Sequence, residues 1–180
     1  YFWYDRLGRL VVSQNAKQAT NDEYSYTKYD SLGRIVQVGQ TENATAMSST
    51  ISRDDADLLD WIDDGTKTQV THTVYDEALA LTTDPTVNGQ EHLRNRVAAV
   101  FYQETYTDVN SLDNPTAATT KYEHATHYSY DVHGNVKELV QEVPRMGTHA
   151  TGQTFKRMAY DYDLISGKVN QFKYQGNGAK

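Results

Sequence analysis

Short stretches of alternating apolar and polar residues, separated by turn-forming residues, run through most of the chain. The alternation is clearest at residues 24–29 and 34–38, and a period of two is typical of β-strands with one buried face. The same pattern continues in six further regions, at residues 1–13, 66–76, 96–105, 119–131, 135–143 and 155–174. We therefore predict a mainly all-β fold, in which consecutive antiparallel β-hairpins form a curved, open sheet with long insertion loops.

One segment departs from this alternation because its apolar residues have helical spacing: Leu58, Leu59 and Ile62. Ser52 is a suitable N-cap residue for a helix that contains them, and Gly65 is suited to end that helix. We predict one short helix near residues 53–63.

A seven-residue phrase recurs between the predicted strands, and we call it the turn phrase. It has the form Tyr-Asp-x-x-Gly-x-aliphatic, with one additional residue in its last copy. Its Asp and Gly are typical of a type I turn followed by a left-handed residue, the common three-residue hairpin loop with a G1 bulge. The copies begin at Tyr4, Tyr29, Tyr130 and Tyr162, and their glycines are Gly8, Gly33, Gly134 and Gly167.

The turn geometry predicts which residues lie opposite each other in each hairpin. The aromatic–aliphatic pairs are Tyr4–Leu10, Tyr29–Ile35, Tyr130–Val136 and Tyr162–Val169. The polar pairs beside the turns are Asp5–Arg9, Asp30–Arg34, Asp131–Asn135 and Asp163–Lys168. Such cross-strand pairs stabilise a hairpin by about 0.2–1 kcal/mol each. The turn phrase therefore predicts architecture, and nothing in it requires catalysis.

A fifth copy is divided by an insertion. It begins with Tyr75-Asp76, and Asn95-Arg96-Val97 has the sequence of its second half, with Asn in the left-handed position that this residue tolerates. We predict that Asp76 lies opposite Arg96 and Tyr75 opposite Val97, and that the residues between them form a long loop.

Composition excludes several classes of function. The formal net charge of -7, without a cluster of Lys and Arg, argues against a nucleic-acid-binding surface. No apolar run is long enough to span a bilayer as a helix. The absence of Cys excludes disulfides and thiolate metal sites. We predict no cofactor and no metal, and the 14 Tyr residues suit half-buried strands.

Candidate catalytic and metal-binding sets find little support. His124 and His127 are three residues apart on a predicted strand, which directs them to opposite faces, whereas zinc requires convergent ligands. We expect His124 in an aromatic strip and His127 on the exposed side. The acidic residues 54–64 lack the spacing of a calcium loop and indicate a solvated helix face. Glycosidase carboxylates meet only in space, so that alternative stays open.

The turn phrase resembles the YD repeat of Rhs-type proteins, and its copies span residues 4–169. The segments 127–136 and 160–169 are similar to repeats of bacterial members. The resemblance implies hairpins laid side by side in a spiralling sheet, which in full-length members closes as a hollow shell. In polymorphic toxins such shells hold a C-terminal toxin, and related repeats occur in wall-associated proteins. The family's C-terminal motif is not found, since the only Asp-Pro is Asp84-Pro85, in an insertion. The resemblance therefore implies neither an autoprotease nor a toxin in this chain.

We expect residues 1–180 to be a single YD-repeat segment of a much longer bacterial protein, secreted or at the cell surface. Its predicted function is structural: part of a β-shell that encloses or presents a C-terminal toxin, without catalysis of its own. The expected partners are the remainder of its own chain and the toxin cargo. The alternative is an adhesion module that binds a surface glycan or a protein through exposed tyrosine strips, with three candidate residues: Tyr122, His124 and Tyr128.

Overall fold

The computed structural model of the chain describes residues 1–78, 89–106, 122–143 and 154–175. Ten β-strands are the main elements, and they lie in one sheet in the order in which they occur in the chain. They are β1 (Phe2–Tyr4), β2 (Leu10–Ser13), β3 (Glu23–Tyr29), β4 (Ile35–Glu42), β5 (Thr66–Tyr75), β6 (Val97–Thr105), β7 (His124–Tyr130), β8 (Val136–Glu142), β9 (Phe155–Tyr162) and β10 (Val169–Tyr174). The predicted all-β class and open sheet of consecutive hairpins are confirmed.

The four hairpins of the uninterrupted turn phrases have the predicted register. The Tyr residues lie opposite Leu10, Ile35, Val136 and Val169. In each turn the backbone N–H of the Asp donates to the carbonyl of its predicted partner, at distances of 2.8–2.9 Å. The four glycines are left-handed, with φ between 67° and 95°, as a type I turn with a G1 bulge requires.

A second bulge follows the G1 bulge in each of these four hairpins, and the sequence pattern does not predict it. In the first hairpin Tyr4 pairs with Leu10 but Trp3 pairs with Val12, so that Val11 is an additional residue in the return strand. The other three hairpins shift at the same place. Because a bulge interrupts the alternation of faces, Val11 and Val12 are both buried, with 3% and 1% of their surface exposed.

The predicted single helix is two short helices, α1 (Ser49–Arg53) and α2 (Asp55–Asp64). Ser48 caps α1 and Asp54 caps α2, each by accepting backbone N–H groups of the first turn. The prediction of Ser52 as the N-cap is therefore wrong. Ser52 is buried inside α1, where its hydroxyl donates to a backbone carbonyl of β1.

The buried face of α2 differs from the predicted face by one residue. Leu58 and Ile62 are buried as expected, but Leu59 is 46% exposed and Trp61 takes its place in the core. The Trp61 ring meets the ring of Tyr24 edge-on, with 5.0 Å between their centroids. The indole N–H donates to the carbonyl of Thr45, which satisfies the one polar group of this buried side chain.

The chain divides into two compact units, which are described separately. The first contains residues 1–72 and 103–107, and the second contains residues 73–102 and 108–180. In the first, side chains of β2 and β3 form a core with the helices, made of Val11, Val12, Tyr24, Tyr26, Met47, Leu58, Trp61 and Ile62. In the second, one buried cluster consists of Leu93, Ala98 and Tyr130, with Tyr128 and Val136 packed against it.

Some expectations fall on residues that the structure does not describe. They are the Asp84-Pro85 insertion, the predicted loops at residues 108–116 and 144–152, and residues 119–121 at the start of a predicted strand. Within the described ranges, no helix is both long and apolar enough to cross a membrane.

Candidate functional site: the junctions between hairpins

Each turn is held together by the carboxylate of its Asp. The Asp5 Oδ1 accepts the backbone N–H groups of Leu7 and Arg9, at 2.9 and 2.8 Å, and its Oδ2 accepts the Arg9 Nε–H at 2.6 Å. Asp30 repeats these contacts with the corresponding residues of its own turn, again at 2.9, 2.8 and 2.6 Å. The Asp and the Arg of the turn phrase therefore close the loop, and neither is directed towards an external ligand.

The other turns keep the carboxylate and vary its partners. Asp131 accepts the side-chain N–H of Asn135 at 2.9 Å in place of a guanidinium. Asp163, in the longer turn, accepts two backbone N–H groups, and the Lys168 side chain makes no ion pair within the described residues. The role of the Asp is constant, whereas the sixth residue of the phrase is interchangeable.

These contacts lower the pKa of the turn carboxyls. Burial disfavours the charged form of Asp5 and Asp30, but hydrogen bonds from the backbone and guanidinium of the following Arg outweigh it and hold both pKa values below the usual range. The hydrogen bond from the Asn135 side chain lowers the pKa of Asp131 in the same direction. The surroundings of these carboxyls therefore favour the charged form, whereas a general acid needs the protonated form.

The divided fifth copy closes in the same way. The backbone N–H of Asp76 donates to the Arg96 carbonyl at 3.1 Å, which confirms that these two residues lie opposite each other. Asn95 has a φ of 59°, as expected for a residue in the glycine position, and its N–H donates to the Asp76 carboxylate. The pairing of Tyr75 with Val97 stays a prediction.

The tyrosine of three of the phrases joins its hairpin to the hairpin before it, through a contact that we call the tyrosine latch. The Tyr29 hydroxyl donates to the carbonyl of Leu10 at 3.0 Å. The same contact joins Tyr130 to Val97 at 2.9 Å and Tyr162 to Val136 at 3.0 Å. In each case the acceptor belongs to the aliphatic residue of the preceding copy, so one residue type at one phrase position makes all three junctions.

The strand register is also the same at these three junctions. The residue two positions after the aliphatic residue pairs with the residue three positions before the next tyrosine. The three pairs are Val12–Tyr26, Ala99–His127 and Glu138–Ala159. A latch and a register that recur together define one standard junction between hairpins.

At two junctions an arginine covers the tyrosine ring of the latch. The Arg9 guanidinium lies 4.5 Å from the centroid of the Tyr29 ring, and that of Arg96 lies 5.4 Å from the centroid of the Tyr130 ring. Such cation–π contacts stabilise by about 0.5–1 kcal/mol at exposed sites. The third junction has Asn135 at the arginine position and relies on the latch and the strand pairing.

The three residues of the predicted ligand surface have different surroundings. Tyr122 contacts the buried ring of Phe101, with centroids 5.0 Å apart. His124 is exposed and stacks on Tyr102, with centroids also 5.0 Å apart. Tyr128 is half-buried against the cluster around Tyr130. That these three residues bind a ligand stays a prediction.

The expectation that His127 lies on the exposed side is wrong, since only 1% of its surface is exposed. Its Nε2 lies 3.1 Å from a carboxylate oxygen of the buried Glu142, and the same oxygen accepts the Tyr122 hydroxyl at 2.9 Å. Burial and the nearby Glu142 carboxylate raise the pKa of Tyr122. The sequence contained a signal for this burial. His127 is two residues from both Ala125 and Ser129, which are also buried, so all three lie on one face of β7.

Within the described part of the chain, no group of three or more His, Cys, Asp or Glu side chains is arranged to hold a metal ion. Comparison with models of known protein families and with curated proteins gives no significant match. The standard junction is consequently the feature on which a functional interpretation depends.

Proposed function

We propose that this chain is a structural segment of the β-shell of a large, secreted or surface-exposed bacterial protein of the Rhs/YD-repeat type. In this proposal the shell encloses or presents a C-terminal toxin, and the segment has no catalytic activity. The observation that carries the proposal is the recurrence of one junction, with the same latch and the same register, at three places in the chain.

A wall needs a contact that can be repeated without limit, and the standard junction has this property. The hairpin that begins at Tyr130 donates its tyrosine hydroxyl to the hairpin before it and accepts the hydroxyl of the next one at its Val136 carbonyl, so one copy can be both donor and acceptor. Stability in such arrays is the sum of contributions from the repeats and from the contacts between neighbours. The residues of the turn phrase are thus used for closing turns and joining hairpins.

The test uses the longer protein to which the proposal assigns this segment. The substitutions Tyr29→Phe, Tyr130→Phe and Tyr162→Phe are combined to remove all three latches, and protease digestion of the C-terminal domain is followed over time. Tyr24→Phe is the control, because its hydroxyl makes no hydrogen bond among the described residues.

We expect the C-terminal domain to be protected in the unmodified protein and in the Tyr24→Phe control, and to be cleaved faster in the triple variant. A C-terminal domain that is fully sensitive in the unmodified protein would contradict enclosure. Equal protection in the triple variant would show that the junctions do not maintain the wall.

A further inference from the structure

A cleft of about 460 Å³ lies between the first two turns and the helix α2, within the first compact unit. Its lining residues come from these two turns, from β2 and β3, and from α2. None of them lies on β1 or β10, the edge strands of the sheet. The volume is within the range of about 300–1,000 Å³ that is typical of small-molecule sites in proteins.

The uncharged part of the lining is mainly apolar. Three of its side chains are buried, namely those of Val11, Leu58 and Ile62. Two further leucines line the same cleft but are exposed to solvent: Leu7 of the first turn by 70%, and Leu59 of α2 by 46%. A ligand in the cleft would remove their apolar surface from water, which is favourable.

The charged side chains around the cleft already have partners. Three of them are cationic and three are anionic, so the charge of the lining is balanced. The ion pairs that they make are Arg6–Asp55 at 2.5 Å, Arg9–Asp5 and Arg34–Asp30 at 2.6 Å, and Lys28–Asp63 at 2.7 Å. An ionised ligand would have to disrupt one of these pairs or lose its hydration without compensation, whereas an uncharged ligand meets neither cost.

We propose that this cleft binds an uncharged small molecule with a mainly apolar, aromatic or aliphatic body. Leu7 contacts the molecule from the turn and Leu59 contacts it from the helix, beside the buried apolar residues. This site goes beyond the proposed structural function and does not depend on it, because no tyrosine latch is needed to bind the molecule.

A pair of dyes tests both the site and the selection against charge. N-Phenylnaphthylamine is uncharged and fluoresces in apolar surroundings, and anilinonaphthalene sulfonate has the same ring system with an added anionic group. We expect the fluorescence of the uncharged dye to increase and to saturate at one molecule per chain. The sulfonate should bind at least about tenfold more weakly, because the cleft offers no unpaired cation to it.

A double variant locates the bound dye. Leu7→Ser combined with Leu59→Ser should weaken binding of the uncharged dye at least about tenfold, because both exposed apolar contacts are lost. Leu32→Ser is the control: Leu32 has the same phrase position as Leu7 and is 69% exposed, but it does not line the cleft. It should change the affinity by less than about twofold. Circular dichroism verifies that all the variants are folded.

Three results would overturn the proposal. The first is the absence of saturable binding of the uncharged dye, and the second is equal affinity for the double variant and the unmodified chain. The third is an affinity that falls as the protein concentration rises, which would show that a second copy of the chain occupies the cleft. None of these results affects the tyrosine latches, whose own variants decide the proposed function.

Discussion

The tyrosine latch is a contact between one hydroxyl and one backbone carbonyl, so its contribution can be measured with single substitutions. Tyr130→Phe removes the hydrogen bond to Val97 and keeps the buried ring. We expect a decrease of about 1 kcal/mol in the free energy of unfolding, because a typical intramolecular hydrogen bond contributes about that much. Urea denaturation of dilute protein measures the change.

Tyr4→Phe is the matched control for this prediction. It is the same substitution at the same phrase position, on a hydroxyl without a partner among the described residues. We expect it to change the stability of the dilute protein by less than about 0.5 kcal/mol. Equal losses for Tyr4→Phe and Tyr130→Phe would mean that the latch adds nothing beyond the general effect of the hydroxyl.

The glycines of the turns distinguish backbone strain from loss of a junction contact. Gly8 and Gly134 are both left-handed, so Ala at either position costs about 1–2 kcal/mol from strain. A Cβ at Gly8 meets nothing within 4 Å, but at Gly134 it lies 2.7 Å from an Arg96 nitrogen. We expect Gly134→Ala to be more destabilising than Gly8→Ala by about 0.5–1 kcal/mol, the contribution of the cation–π contact that it displaces. In an Arg96→Gln background the difference in unfolding free energy should disappear.

The lowered pKa of Asp30 predicts how the stability of the protein depends on pH. Its pKa is lowered in the folded chain, because hydrogen bonds to Arg34 and Leu32 outweigh the effect of burial. A lowered folded pKa gives stability that is present above the unfolded pKa of about 3.9 and is lost as the pH falls through the folded value. Asp30→Asn should therefore be less stable near neutral pH and lose less stability on acidification. Thermal unfolding between about pH 7 and pH 2 tests this, and parallel curves would contradict it.

At the level of the strands and helices, the turn phrase was sufficient to predict the register of four hairpins. It was sufficient because Asp and Gly at fixed positions specify one turn geometry, and that geometry fixes the pairs beside it. The bulge one residue further along was not predictable, since no residue type marks it. The boundary between α1 and α2 was missed because Asp54, which lies within the single predicted helix, is an N-cap in extended conformation.

The junctions between hairpins were less predictable from the sequence than the hairpins themselves. A latch joins residues of two copies, so its geometry depends on how one hairpin is placed against the next, which a local pattern does not contain. The spacing of two that relates His127 to Ala125 and Ser129 assigns these residues to one face of β7, but the sequence does not say which face of the strand is buried. Local turn chemistry was therefore visible in the sequence, whereas contacts between elements were not.

The end of α2 depends on close contact with the sheet. Gly65 has an ordinary φ of -81°, but a Cβ there would lie 2.0 Å from the Thr41 hydroxyl oxygen and 3.0 Å from the Glu42 carbonyl. We expect Gly65→Ala to destabilise by about 2–3 kcal/mol from overpacking. Thr41→Ala removes the closest atom, so the double variant should lose less stability than the sum of the two single variants. Additive losses in chemical denaturation would show that the contact with Glu42 alone prevents a side chain.

For the whole molecule, the strand order predicts a gradient of protection against hydrogen exchange. β10 is an edge strand with six exposed residues, whereas β7 lies between two strands and includes the fully packed Ala125 and His127. Local opening requires less free energy where fewer apolar contacts are broken. In dilute protein we therefore expect amides of β10 to exchange before those of β9, and those of β9 before those of β7. Equal protection of β10 and β7 would mean that this unit opens as one cooperative block.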